Sequence, residues 1–238
     1  MRQAFTLTVQ PGTAPAARIT GLPDIIAPAQ QPVFDLQVDS AYPLPITGTI
    51  TLTFVPDPDV QVNDPAIQFA TGGRTLNFSS PANSTKVTFA APIAAMQTGT
   101  VAGTIILTVK ILANGTDITP NPAPQRSIRV DRLAPKITSV TVVKNASGVI
   151  LNIIGYSTTR DVTQGTFRFT TSTGTTDVTV PVADGAKAWF QSSASAPFGG
   201  QFSLSQPFTF QGGTPAITSV SVTLTNGQGV SAATTVNF

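Results

Sequence analysis

The sequence predicts an all-β protein built as two tandem antiparallel β-sandwich domains. Three observations carry this. Apolar residues alternate with polar ones along many short runs, as Phe34, Leu36 and Val38 do around Asp35 and Gln37. Such alternation gives a strand one buried and one wet face. Turn-forming residue pairs recur between the runs, and windows with helical periodicity are nearly absent.

The first run has Phe5, Leu7 and Val9 alternating with Thr6 and Thr8, and Pro11-Gly12-Thr13-Ala14-Pro15 tethers it to the rest. A terminal strand on such a tether pairs either with its own sheet or with the open edge of another copy. Phe5, Leu7 and Val9 are therefore the candidate assembly residues. Next come Phe34, Leu36 and Val38, then Ile50, Leu52 and Phe54 interleaved with Thr49, Thr51 and Thr53. Further strands are expected at 75–78, 86–89, 101–112 and 126–130. The second half adds 136–143, 149–154, 166–169, 177–180, 188–191, 201–210, 216–225 and 232–238. Residues 90–97 are the one stretch expected to make a helical turn. Turn signals lie at Pro56-Asp57-Pro58-Asp59, Gly72-Gly73, Asn114-Gly115, Gly199-Gly200, Gly212-Gly213 and Asn226-Gly227. The Asn-Gly pairs suit type I′ hairpins, whose two central residues both need positive φ.

A boundary is expected between the strand that ends at Val130 and the next, whose first apolar residue is Ile137. Pro135 lacks an amide proton and holds the segment between them extended. The expected organisation is a first domain over residues 1–131, a linker over 132–135 and a second domain over 136–238. Each half has strands enough for one sandwich of about 100 residues. The longer first half leaves room for an extra strand or a structured loop around 56–73.

Composition removes several function classes. The chain contains no histidine, cysteine or glutamate. A Ser-His-Asp or Cys-His triad, a thiolate zinc site and a disulfide all lose their carriers, so no catalytic residues are assigned and the chain is read as a non-enzyme. Charged residues are only 10%, and the formal net charge is +2 from 13 basic and 11 acidic groups. The basic residues are scattered, which argues against a nucleic-acid partner. No run approaches the length of a membrane span. The N-terminus enters an alternating segment without a leader pattern, so the chain reads as a piece of a longer secreted protein or, failing that, as one whose leader has been removed.

Two candidate sites remain. Asp57, Asp59, Asn63 and Asp64 share one Pro-rich loop and, with backbone carbonyls, offer oxygens of the kind calcium takes. The alternative is an exposed turn in which Asp and Pro end a strand. Calcium is the one cofactor considered. The lone Trp189 neighbours Phe190 on an expected strand, so the two would face opposite sides. Trp189 either packs the core or, facing outward, stacks on a sugar ring.

The pattern Val130-Asp131-x-x-Ala134-Pro135-x-Ile137-x-Ser139-Val140 resembles the junctions between tandem Ig-like (immunoglobulin or fibronectin III-type) modules of large extracellular or cell-surface bacterial proteins. The segments Asp64–Arg74 and Gln97–Ile105 are similar to stretches of such modules. The resemblance implies two Ig-like sandwiches outside the cell or at its surface, serving as a stalk, spacer, adhesive module or assembly subunit. The partners it implies are other domains of a longer secreted chain or further copies of this one. Two other readings stand beside it. One is a carbohydrate-binding accessory module of a secreted enzyme. The other is a filament subunit assembled by exchange of the N-terminal strand.

Overall fold

The computed structural model describes residues 12–210 and 217–238. The first-strand residues Phe5, Leu7 and Val9, and the Gly212-Gly213 turn, lie outside the described residues. Among the described residues eleven strands precede Asp131: β1 (Ala17–Thr20), β2 (Ile25–Ile26), β3 (Asp35–Val38), β4 (Ile46–Pro56), β5 (Gln68–Phe69), β6 (Thr75–Ser80), β7 (Thr88–Phe89), β8 (Met96–Gln97), β9 (Gly103–Ala113), β10 (Thr116–Asp117) and β11 (Gln125–Val130). Eight follow it: β12 (Lys136–Asn145), β13 (Gly148–Tyr156), β14 (Gln164–Thr171), β15 (Gly174–Pro181), β16 (Gln201–Thr209), β17 (Ile217–Asn226), β18 (Gly229–Val230) and β19 (Thr234–Asn237). One helix, α1 (Ala183–Gln191), and a 3-10 turn (Ser193–Phe198) lie between β15 and β16.

Each half is a pair of sheets closed over its own core. In the first half the larger sheet runs β2-β11-β9-β4-β6-β7, with β10 folded back on β9. Its spine is the antiparallel pair β4 and β9, in register from Ile46 opposite Ala113 to Pro56 opposite Gly103. The facing layer is made of β1-β3 and β5-β8, bridged by Val33 and Ala95. Alternation places Ile50 and Leu52 of β4 and Ile105, Leu107, Val109 and Ile111 of β9 inward, all essentially buried. Leu36, Phe69 and Met96 meet them from the facing layer. Burial of each such side chain stabilises the fold by roughly 1.5–3 kcal/mol. Among the described residues the strand pairs are antiparallel except where β2 joins β11 in parallel.

In the second half β12-β13-β16 faces β15-β14-β17, with β18 and β19 both paired to β17. The core is aromatic where the layers meet. The Phe208 ring of β16 lies edge-on to Phe167 and Phe169 of β14, at centroid distances of 4.8 and 5.0 Å. This is the geometry that ring quadrupoles favour. The first buried cluster ends in sequence at Val130 and the second begins at Ile137.

The structure corrects several local expectations. Residues 188–191 are helical, as the end of α1. Val182, Ala186 and Phe190 are buried at four-residue spacing, which is the repeat of one helix face and exceeds a four-residue window. Residues 90–97 form no helix: Met96–Gln97 pairs with Gln68–Phe69. That pairing is also the extra strand of the long first half. The strand expected at 86–89 shrinks to Thr88–Phe89, because the Lys86 amide donates instead to Ser84 Oγ at 3.0 Å. Asn114 and Gly115 do take positive φ, 47° and 80°, in the β9–β10 turn. Asn226 does not: it pairs with Gly229, leaving Gly227 and Gln228 at the tip. Tyr42 is buried, and its hydroxyl donates to the Gly12 carbonyl at 2.7 Å, closing the chain entry onto the first core.

Candidate functional site

The most elaborate polar construction in the molecule is the contact between the two halves. It starts in the loop after β4. There the Asp57 carboxylate is buried and accepts both Nη atoms of Arg129, with Nη2 at 2.8 Å, plus Nε of Arg132 at 2.7 Å. Arg132 Nη1 also donates to Asp59 at 2.6 Å. Bidentate guanidinium–carboxylate pairs are short and directional. Arg129 thereby pins the end of β11, and Arg132 the segment after it, to the loop that follows β4. Hydrogen bonding from Arg129, helped by Arg132 against a smaller opposing effect of burial, holds the Asp57 carboxyl down at about 2. A carboxylate so held is the reverse of a general acid, which needs a raised value.

Asp64 is wholly buried. Its carboxylate accepts from the amide of Thr100 at 2.6 Å, the hydroxyl of Thr100 at 3.2 Å and the amide of Ala66 at 2.9 Å. The Thr100 hydroxyl oxygen in turn accepts from the Gly200 amide of the second half at 2.9 Å. Beside it the Ala102 amide donates to the Thr158 carbonyl at 2.8 Å, and the Ser157 amide donates to the Gly200 carbonyl at 2.9 Å. The Leu133 amide donates to Thr158 Oγ1 at 2.8 Å, and Asn226 Nδ2 donates to the Leu133 carbonyl at 3.0 Å. The two sandwiches and the segment between them are thus joined by one backbone–backbone bond, Ala102 to Thr158, and by bonds in which the Thr100, Thr158 and Asn226 side chains meet backbone groups.

Arg160 completes the second half's side. Its guanidinium donates to the carbonyls of Gly199 and Phe190 and lies 4.9 Å from the Phe190 ring centre. Burial pushes its pKa down, and the Asp64 charge opposes that. No buried side-chain polar atom among the described residues lacks a partner.

The candidate calcium ligands are divided among other duties. Asp57 and Asp59 are taken by arginine, Asn63 Oδ1 accepts from Arg74 Nη2 at 2.7 Å, and Asp64 serves Thr100 and Ala66. Among the described residues no three His, Cys, Asp or Glu side chains gather to hold a metal ion. Asp57 and Asp59 thus hold Arg129 and Arg132 as an ion-paired clamp. Trp189 stands on α1 and not on a strand. It is half-buried against the second core, and its indole N–H donates to the Gln201 carbonyl at 2.8 Å. It stacks on Phe198 at 6.5 Å between centroids.

Sequence reasoning missed Arg129, Arg132, Thr100, Gly199, Gly200, Arg160 and Asn226. The Arg129-x-Asp131-Arg132 charges beside the boundary were the available signal for the first two. Gly199, Gly200 and Asn226 registered only as turn residues, and Thr100 carried no signal, since threonine is ordinary in so Thr-rich a chain.

Two clefts flank the contact. One of about 390 Å³ is lined by Val60, Val62, Val162, Phe190 and Lys187 among others. The other, of about 300 Å³, draws half of its lining from the glutamines Gln30, Gln31, Gln97 and Gln201. Among the described residues no helix is long and apolar enough to cross a membrane.

No protein-family model matches the chain, and no curated protein matches it. Among solved structures it is similar to the FN1–FN3 domains of chicken CNTN1, at 12% identity and a TM-score of 0.29, covering 96% of this chain and 64% of that one. It is also similar to a two-domain fibronectin type-III segment of chicken tenascin, at 8% identity and a TM-score of 0.35, covering 95% and 99%. A third likeness is to a mutant Salmonella alpha-2-macroglobulin, at 12% identity and a TM-score of 0.31, covering 92% of this chain but 16% of that one. At scores this low the sandwich assignment rests on the strand pairing and the two cores.

Proposed function

We propose that the chain is a non-catalytic structural module: two tandem Ig-like sandwiches, residues 1–131 and 136–238, joined through 132–135 and held as one stiff spacer within a longer extracellular or cell-surface protein. The observation that carries this reading is the contact centred on Thr100. Its hydroxyl accepts from Gly200 while its amide donates to the buried Asp64. A flexible tether would need no such construction, and domains joined only by a linker move independently by default. The low charge, 10% of residues, gives a hydroxyl- and amide-coated exterior that exerts little long-range attraction. That suits a spacer which holds other domains apart without capturing charged partners.

Backbone 15N relaxation tests this reading. A stiff spacer has both halves tumbling with one anisotropic diffusion tensor. Separate, faster correlation times for residues before 131 and after 136 would contradict it.

A further inference from the structure

The glutamine-lined cleft has a chemistry that the spacer reading does not use. We propose that it binds a neutral saccharide, through the side-chain amides of Gln30, Gln31, Gln97 and Gln201. The proposal stands independently of that reading, since a stiff or a flexible module could carry it.

The cleft is a built feature. Gln30 and Gln31 follow Ala29, whose φ is 55°. The Ala29 amide donates to the Gly99 carbonyl at 2.7 Å. The Gln30 amide donates to Oγ1 of the wholly buried Thr98 at 2.9 Å, and the Thr98 hydroxyl donates to the Ala27 carbonyl at 3.0 Å. Gln97 is fixed by the β5–β8 pairing opposite Gln68. Gln201 begins β16 directly after Gly200, which Thr100 anchors. Four amides from three distant stretches of chain are therefore brought to one cleft, and Gln201 comes from the other sandwich.

Its lining contains no ionisable side chain. The side chains of Gln31, Gln97 and Gln201 make no hydrogen bond to another described residue, so their donors and acceptors are free for a ligand. Each amide presents an acceptor oxygen and a two-proton donor nitrogen, a pair that matches adjacent hydroxyls on a sugar ring. A charged ligand would find no counterion there, and an apolar one would strand the amides. The volume lies at the small end of the range for small-molecule sites.

The test titrates the full 15N-labelled chain with maltohexaose, cellohexaose and mannohexaose, and with polygalacturonate as an acidic comparison. The side-chain amide signals of the four glutamines are followed. At least one neutral oligosaccharide should shift these signals at millimolar concentration, and Gln97→Leu or Gln31→Leu should weaken that binding about tenfold, the loss of one amide's hydrogen bonds. Gln31 is exposed, so its variant leaves the fold intact. Four results would each overturn the proposal: no shift with any neutral probe at tens of millimolar, shifts confined to other residues, tighter binding of polygalacturonate at the same amides, or unchanged affinity in both variants.

Discussion

The Asp64 carboxylate of the first sandwich lies directly against the Cα of Gly199 in the second. A methyl group on Gly199 would meet Asp64 Cγ, Oδ1 and Oδ2, each at 2.5 Å. Gly199 also takes φ 57° and ψ −117°, a region closed to side chains. Gly199→Ala is therefore expected to destabilise the protein by about 2–4 kcal/mol, from backbone strain and displacement of a hydrogen-bonded buried carboxylate. Urea unfolding measures this. A loss below about 1 kcal/mol would show that the two halves are not in contact at this point.

Stability should depend on acid in one narrow range. The Asp57 carboxyl titrates at about 2 in the folded protein against 3.8 for the free group. As pH falls below 3.8 the unfolded chain takes up the proton first. The stabilisation, on the order of 2 kcal/mol, is thus complete above that value and is lost on the way down to about 2. With no histidine or glutamate in the chain, no side chain is expected to make stability vary between about pH 5 and 8. Melting curves across pH should be flat there and fall below 4, and Asp57→Asn should flatten part of that fall. Because arginine occupies the loop's carboxylates, millimolar calcium should leave the melting temperature unchanged.

Thr100→Val keeps the shape of the side chain and removes its hydroxyl. The Gly200 amide then loses its acceptor, and Asp64 loses one donor. Unsatisfied buried groups cost about 1–3 kcal/mol each. Differential scanning calorimetry should show a lower melting temperature and a single transition splitting into two, one for each core. An unchanged single transition would mean that coupling runs elsewhere.

Tyr42→Phe removes only the bond to the Gly12 carbonyl. The expected cost is about 1 kcal/mol, with the amide exchange of β4 and β9 keeping its pattern. A much larger loss would place Tyr42 among the main supports of the core.

The strands were legible where alternation ran long. β4, β9, β13 and β17 each bury every second residue over much of their length, and period two is readable without a partner. The helix was not, because Trp189 and Phe190 are as acceptable in a strand. Only Val182 and Ala186, which lie upstream, disclose the four-residue spacing. The loop of Asp57, Asp59, Asn63 and Asp64 was recognised as special, but its partners lie far off in sequence. Arg129 is 72 residues from Asp57 and Thr100 is 36 from Asp64. Acidic residues gathered on a loop look alike whether they face a cation or two arginines. The contact between the halves was invisible for the same reason: it is built from amides, hydroxyls and glycines whose meaning appears only on pairing.

Rigidity of the pair is measured most directly by the distance between their far ends. β9 leaves the contact at Gly103 and reaches Ala113, and β14 leaves it at Gln164 and reaches Thr171. The exposed Thr116 and Ser172 therefore each lie at the end of their own sandwich away from the contact. The chain has no cysteine, so Thr116→Cys and Ser172→Cys give two unique spin-label sites for double electron–electron resonance. One narrow distance distribution, broadened on adding Thr100→Val, is the expected result. A broad distribution in the protein with Thr100 intact would contradict a stiff two-sandwich spacer.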